Sequence, residues 1–353
     1  MDDQAQPPAD RRATPRRLGR HHTSWATLAV SVCAAVGVVQ FKQPSHAFET
    51  RPFASLASRV VPNVPAATPL PSAFGRSGEV RIRFALPGEA VQYPLDLRGD
   101  TAALSYRWVR LGDSATAGAP RPLVGEDVIA PAKPGFYQLA LVRGEERRVV
   151  DGLTLAVLVP FTQKVGATLN GYRIGTYISE RLGGAGHDRP EGFVEVAAER
   201  ELDLPMTKHI RLADFITHDE QQVWPRYAAV NPRLLDKLEL VIAEIARSRG
   251  DTGTVRVAVD VHSGFRAPVY NRRVPRAAND SRHQYGDAAD VTIDANGDGR
   301  FTAADSRLTA RAVEAVERQH PDLVGGLGLY TSRRYRTPYV HIDARGTRAR
   351  WNG

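Results

Sequence analysis

At 353 residues, with 42% hydrophobic and 24% charged side chains, the chain has the balance of a globular protein and the length for two domains. Its formal charge of +8 is carried almost wholly by arginine, because only five lysines occur, and the basic residues are scattered rather than gathered into a run. That pattern argues against nucleic acid as a partner. It suits an acidic surrounding such as a cell wall or an anionic membrane surface, or no more than a solvated basic exterior.

From the N-terminus, Arg11, Arg12, Arg16, Arg17 and Arg20 precede an uncharged apolar run from Trp25 to Val39. A basic flank before such a run predicts either an export signal or a single membrane tether through residues 25–39. Ser45 and Ala47 offer the small residues that a signal peptidase reads, with cleavage before Phe48; the run is short for a span that needs roughly 20 residues. Both outcomes export the rest of the chain to the periplasm or cell envelope, either released or anchored to the inner membrane. Cys33, the single cysteine, lies within residues 1–47, so the exported part has no thiol for disulfides, metal binding or catalysis. Residues 48–75 are rich in Pro and Ala without a period and read as a linker.

In residues 76–160 apolar side chains alternate with polar or small ones. Val80, Ile82, Phe84 and Leu86 do so, as do Leu104, Tyr106 and Trp108, then Tyr137, Leu139 and Leu141, then Leu153, Leu155, Val157 and Val159. Turn signals at Pro87-Gly88, Arg98-Gly99-Asp100, Lys133-Pro134-Gly135 and Arg143-Gly144-Glu145 punctuate them, which predicts an all-β, sandwich-like domain. No chemistry is legible in it. Residues 161–353 are mixed in pattern. Asn231 and Pro232 predict the cap and first turn of a helix whose stripe of Leu234, Leu235, Leu238, Val241, Ile242 and Ile245 ends before Gly250. Strands are predicted at Val255–Val261, Ala288–Asp294, Gly325–Tyr330 and Tyr339–Asp343, and a second helix at Ala303–Gln319. An antiparallel sheet with flanking helices behind a β-sandwich makes the fold class α+β.

Metal-ligating side chains concentrate between Ser281 and Asp305. His283 and Asp290 stand seven residues apart across Gly286, and His341 lies on the last predicted strand. Two imidazoles and one carboxylate fill three positions of a tetrahedral zinc and leave the fourth open, as in catalytic rather than structural sites. Ser-x-His-x-x-Gly-x-Ala-x-Asp over 281–290, preceded by Ser263-Gly264-Phe265-Arg266 and followed by His341-x-Asp343, resembles the zinc D-alanyl-D-alanine carboxypeptidases. Lysostaphin-type enzymes and the hedgehog signalling domain share that superfamily, and the likeness is greatest to its bacterial peptidoglycan-endopeptidase subgroup, over residues 205–352. It implies that His283, Asp290 and His341 hold zinc and that Arg266 stands beside the metal to hold substrate. The substrate so implied is a peptidoglycan stem peptide or cross-link. A guanidinium at Arg266 suits a peptide carboxylate or an acyl oxygen becoming negative. Where many relatives carry a Glu or His as general base, upstream of the last ligand, this chain has Tyr335, Pro338 and Tyr339. Asp343, on the same strand face as His341, is the remaining candidate either to take a proton or to orient that imidazole.

Residues 294–305 match a calcium loop. Asp294, Asn296 and Asp298 fall at positions one, three and five, with Gly299 at six and the Arg300 carbonyl at seven; Thr302 stands at nine and Asp305 at twelve. Asp in place of Glu at twelve, and a strand leading in, resemble the calcium loops of extracellular modules. The competing reading is an Asp/Gly-rich turn that caps the following helix. The expectation is an exported zinc peptidase with a structural Ca2+, acting on peptidoglycan peptides. The other class open to it is a non-catalytic zinc and calcium module that recognises wall peptide or a protein partner.

Overall fold

The computed structural model describes residues 64–70, 74–125, 127–183, 188–251, 257–332 and 335–353. The run at 25–39, the cleavage position before Phe48 and the first two residues of the strand predicted at Val255–Val261 lie outside them. Among the described residues no helix is long and apolar enough to cross a membrane.

The alternating segments pair as strands: β1 (Ala66–Pro69), β2 (Ile82–Ala85), β3 (Ala90–Gln92), β4 (Leu95–Arg98), β5 (Ser105–Arg110), β6 (Thr116–Pro122), β7 (Asp127–Ile129), β8 (Gly135–Arg143), β9 (Glu146–Val149) and β10 (Thr154–Val157). One sheet runs β2-β10-β8-β5-β6, with β9 also on β8, and smaller pairs form from β1 with β4 and β3 with β7. Their inward side chains, among them Tyr93, Trp108, Leu139 and Leu155, make one buried cluster. Val64 and Phe74 belong to that cluster and β1 pairs with β4, so the end of the stretch read as a linker is part of this structure. The expected boundary at 160/161 is bridged as well. Strand β11 (Val159–Pro160) pairs with β14 (Gly192–Val196), and Ile82, Phe136 and Ala156 share a core with Phe193 and Leu234.

Between these parts lie β12 (Thr168–Leu169), β13 (Tyr172–Arg173), the single turn α1 (Ile178–Arg181) and β15 (Arg226–Ala228). The predicted helix is α2 (Pro232–Arg249): the Asn231 side chain accepts the Arg233 N–H at 2.9 Å, and Gly250 ends it in the left-handed region. A short α3 (Pro268–Asn271) and the predicted α4 (Ala303–Gln319) complete the helices described.

The remaining strands are β16 (Val259–Ser263), β17 (Ala288–Ile293), β18 (Gly326–Tyr330), β19 (Tyr339–Asp343) and β20 (Ala349–Asn352), in the order β16-β17-β19-β18-β20. The first four are antiparallel as expected; β20 is not, because the chain reverses after β19 and crosses to the far edge of β18, running with it. Two-residue periodicity sorts the faces. Ala289, Val291 and Ile293 of β17 and Val340 and Ile342 of β19 pack with the α2 stripe and with Val313 and Val316 of α4. Burying each Leu, Ile or Val there contributes about 1.5–3 kcal/mol, which commits this face to the helices. Asp290, Thr292, Tyr339, His341 and Asp343 are thereby left on the other face.

Candidate metal centre

One register row crosses all five strands: Ser263, Asp290, His341, Gly328 and Trp351 are successive partners on β16, β17, β19, β18 and β20. His283 joins from a 3-10 turn, Arg282–Tyr285, that closes at Gly286. Gly286 has φ +70°, and a Cβ there would lie 2.2 Å from the Ala229 carbonyl oxygen, so the motif glycine lets the turn seat against the entry of α2. The Gly286 carbonyl accepts the Asn231 N–H at 2.9 Å in the same contact.

The three sequence-predicted zinc ligands meet. His283 Nε2 lies 3.2 Å from His341 Nδ1 and 3.3 Å from Asp290 Oδ1, and His341 Nδ1 lies 2.9 Å from Asp290 Oδ1. Donors about 2.0–2.1 Å from a tetrahedral zinc are separated by roughly 3.3 Å, so the triangle has the size that ion requires. All three side chains are buried, and among the described residues this is the one group of three or more His, Asp or Glu whose ligand atoms fall within 4.8 Å of one another. The protonation pattern is set from behind. His283 Nδ1–H donates to the Gly264 carbonyl at 2.7 Å and His341 Nε2–H to Asp343 at 3.1 Å, which turns the lone pair of each ring toward Asp290. Three ligand atoms this close could hold a metal ion among them.

The electrostatics favour an ionised Asp290 between the two rings. Burial holds the His283 imidazole below its ordinary value despite Asp290. At His341 burial is outweighed by the hydrogen bonds to Asp290 and Asp343, which raise it. Burial disfavours the Asp290 charge, yet His283 and His341 hold this carboxyl well below the usual range.

Asp343 stands on the far side of His341. It is fully buried, accepts the Gly326 N–H at 2.7 Å and the Arg345 guanidinium at 2.9 Å, and its carbonyl accepts the buried Lys237 ammonium at 2.6 Å. Burial notwithstanding, His341, Arg345 and Gly326 keep its carboxyl far below the usual carboxylate range. This placement suits Asp343 to orienting His341, since its carboxylate is directed at the far ring nitrogen and at Arg345. Asp343→Asn is therefore expected to lower zinc affinity by about 10-fold to 100-fold. Competition with a zinc chelator measures this, and unchanged affinity with lost turnover would restore the role of base.

Arg266 is positioned by the Ser-Gly-Phe-Arg turn, where its N–H donates to the His283 carbonyl at 3.0 Å. Its Nε donates to Ser263 Oγ at 2.8 Å and its terminal nitrogen pairs with Asp290 Oδ2, the oxygen turned away from the histidines. The turn itself is held by Asp214, whose carbonyl accepts the Gly264 N–H at 2.9 Å. Burial pushes the Asp214 carboxyl up to about 6 against the Arg211 N–H, and the Asp260 charge adds to the rise. A carboxyl raised in the fold favours the neutral form, so its stabilisation is present below the ordinary value of 3.8 and is lost as pH climbs through about 6. Asp214→Asn, which keeps an acceptor for Arg211, is expected to raise Tm near pH 7.5 and change little near pH 4. Equal shifts in thermal melts at the two pH values would contradict this.

An aromatic wall borders the ligands, and the sequence had marked only Tyr335 and Tyr339 of it, as residues standing where a base is absent. Tyr330 and Tyr339 stack at 4.4 Å, Tyr335 stands edge-on to both, and Trp351 lies 5.1 Å from His341 and donates to the Tyr330 hydroxyl at 2.9 Å. A Cβ on Gly328 would lie 2.3 Å from the Trp351 indole nitrogen, so the glycine gives the indole its place beside His341. Tyr339 shares the parity of His341 on β19, a signal that was available; Trp351 needed β20, whose Ala-Arg-Trp-Asn carries no alternation.

The 294–305 loop closes on itself. Asp294 accepts the Gly297 and Gly299 N–H groups at 2.8 and 3.0 Å, Asn296 that of Asp298 at 2.9 Å, and Asp298 that of Arg300 at 2.8 Å. Asp305 accepts the Ala295 and Asn296 N–H groups at 3.0 and 3.1 Å, and with Thr302 forms the capping box of α4. The capping reading is thus realised, and the loop carboxylates do not converge as the histidine site does. No protein-family model and no curated protein matches the chain.

Proposed function

We propose that the chain is a zinc peptidase of the cell envelope that hydrolyses peptidoglycan stem peptides or their cross-links. The observation that carries this is the buried triangle of His283 Nε2, Asp290 Oδ1 and His341 Nδ1, each imidazole tied from behind so that its lone pair faces the carboxylate. Bound there, zinc would supply Lewis acidity toward a carbonyl and bring the pKa of water down to about 7. The chain's own residues do the rest. Asp343 and the Gly264 carbonyl orient the imidazoles, Arg266 fixes the outer oxygen of Asp290 and offers a cation to a substrate carboxylate, and the Tyr330–Tyr339–Trp351 wall excludes water from one side. The substrate class rests on the resemblance of the 263–290 and 341–343 motifs.

Digestion of purified peptidoglycan by the zinc-loaded protein, followed by mass spectrometry of the released peptides, tests this. Cleaved stem peptides or cross-links are expected, and zinc-dependent binding without cleavage would overturn it. That second outcome describes the non-catalytic module, favoured by one observation: the Asp343 carboxylate is held on the far ring nitrogen of His341 and is 0% exposed.

The proposal includes calcium at Asp294, Asn296, Asp298, Arg300, Thr302 and Asp305. A carboxylate has about four lone-pair sites, so the N–H bonds within the loop leave oxygens to turn toward an ion. Calcium is expected to raise Tm with an affinity of order 0.1–1 mM, and Asp298→Ala to abolish the gain. An unchanged melt at millimolar calcium would leave the loop as a helix cap alone.

A further inference from the structure

We propose that His262 is the proton carrier of this centre, in place of the Glu or His missing upstream of His341; the inference rests on the peptidase reading above. The register of β16 against β17 shifts between Val261 and Ser263, a bulge of the kind that re-aims a side chain beside a site. The bulge brings Ser263 level with Asp290 and leaves His262 as its unpaired residue, on the same face as Asp260 and its partner Thr292. Its Nε2 hydrogen-bonds the Thr292 hydroxyl and its ring lies 6.0 Å from Tyr339. Thr292 and Tyr339 each lie two residues from a ligand, Asp290 and His341, on the same strand face, a step of about 6.6 Å. The imidazole therefore stands one pleat along the sheet from the ligand row, over ground that a substrate bound at that row would cross.

Exposure separates it from Asp343. The His262 side chain is 25% exposed whereas that of Asp343 is 0%. The titratable groups around it are Asp260 of its own strand, with Oδ2 3.6 Å from Nε2, Tyr339 of β19, and His218, whose imidazole is lowered by burial and by the charges of Arg266 and His262. Asp260 is a charge partner for the imidazolium that a transferred proton creates. In the hydrolysis a water oxygen bonds to the peptide carbonyl carbon as one water proton passes to His262. The C–N bond then breaks and that proton passes to the departing nitrogen, regenerating the neutral imidazole and leaving an acid and an amine.

His262→Gln keeps a partner for Thr292 but carries no exchangeable proton of suitable acidity. Against wild type on one stem-peptide substrate, it is expected to retain its zinc and a KM within about threefold while kcat falls roughly 10²-fold to 10⁴-fold. Added imidazole should restore part of the turnover of His262→Ala, which a purely structural histidine would not permit. Wild-type hydrolysis with His262→Gln within about threefold in kcat overturns this proposal alone, whereas a zinc-loaded wild type that cleaves nothing overturns the peptidase reading as well. Should His262→Gln fail to fold, Thr292→Val removes only the hydroxyl that holds the ring. Its kcat is expected to drop about tenfold with zinc retained, and wild-type kcat would refute the role.

Discussion

His341→Ala is expected to lose its zinc, and with it all measurable cleavage of stem peptides. The substitution leaves His283 Nε2 and Asp290 Oδ1, and two protein donors hold the ion poorly. It also strands Asp343, buried with Arg345 and Lys237 around it but with no imidazole N–H to donate to it. A lower Tm should accompany the metal loss. His283→Ala removes the other imidazole, whose partner behind the ligand atoms is the Gly264 carbonyl rather than a buried charge, and should lose zinc with a smaller change in Tm. Metal analysis after dialysis reads the first effect, from about one zinc per chain to near none. Full zinc retention in both variants would remove the ligand set.

Arg266→Ala should separate holding the metal from using it. The guanidinium touches Asp290 through Oδ2 while Oδ1 faces the histidines, so the three ligand atoms survive its loss. Turnover is expected to fall by roughly 10² or more, as when a contact made in the transition state is removed, with zinc content near that of wild type. Arg266→Lys should recover little, because one ammonium cannot reproduce a planar fork that reaches both Ser263 and Asp290. A variant with wild-type kcat would confine Arg266 to fixing the Asp290 carboxylate.

Local chemistry was legible before any tertiary contact. Asn231, Pro232 and Gly250 bounded α2 because cap, first turn and left-handed stop are each dictated by one or two residues, whereas Thr302 and Asp305 were read first as calcium ligands and form the capping box at the start of α4. His283, Asp290 and His341 were expected together on the resemblance of the 281–290 and 341–343 motifs, and their donor atoms do lie together. Asp343 was open between two roles in the sequence. Both roles need it near His341, and only the direction of its carboxylate, toward Nε2 and Arg345, separates them.

What the sequence determined by itself is therefore the inventory: alternating strands, two capped helices, a zinc-type donor set and a loop with calcium spacing. Tertiary structure decided the rest, because it depends on which distant residues share a row. Register set Ser263, Asp290, His341, Gly328 and Trp351 in one line, and no local pattern encodes a pairing between strands as far apart as β16 and β20. The bulge after Val261 brings Ser263 onto the ligand face beside Asp290, where strict alternation would have turned it to the core. The aromatic wall likewise depended on pairing, since stacking of Tyr330 on Tyr339 exists only once β18 and β19 are paired.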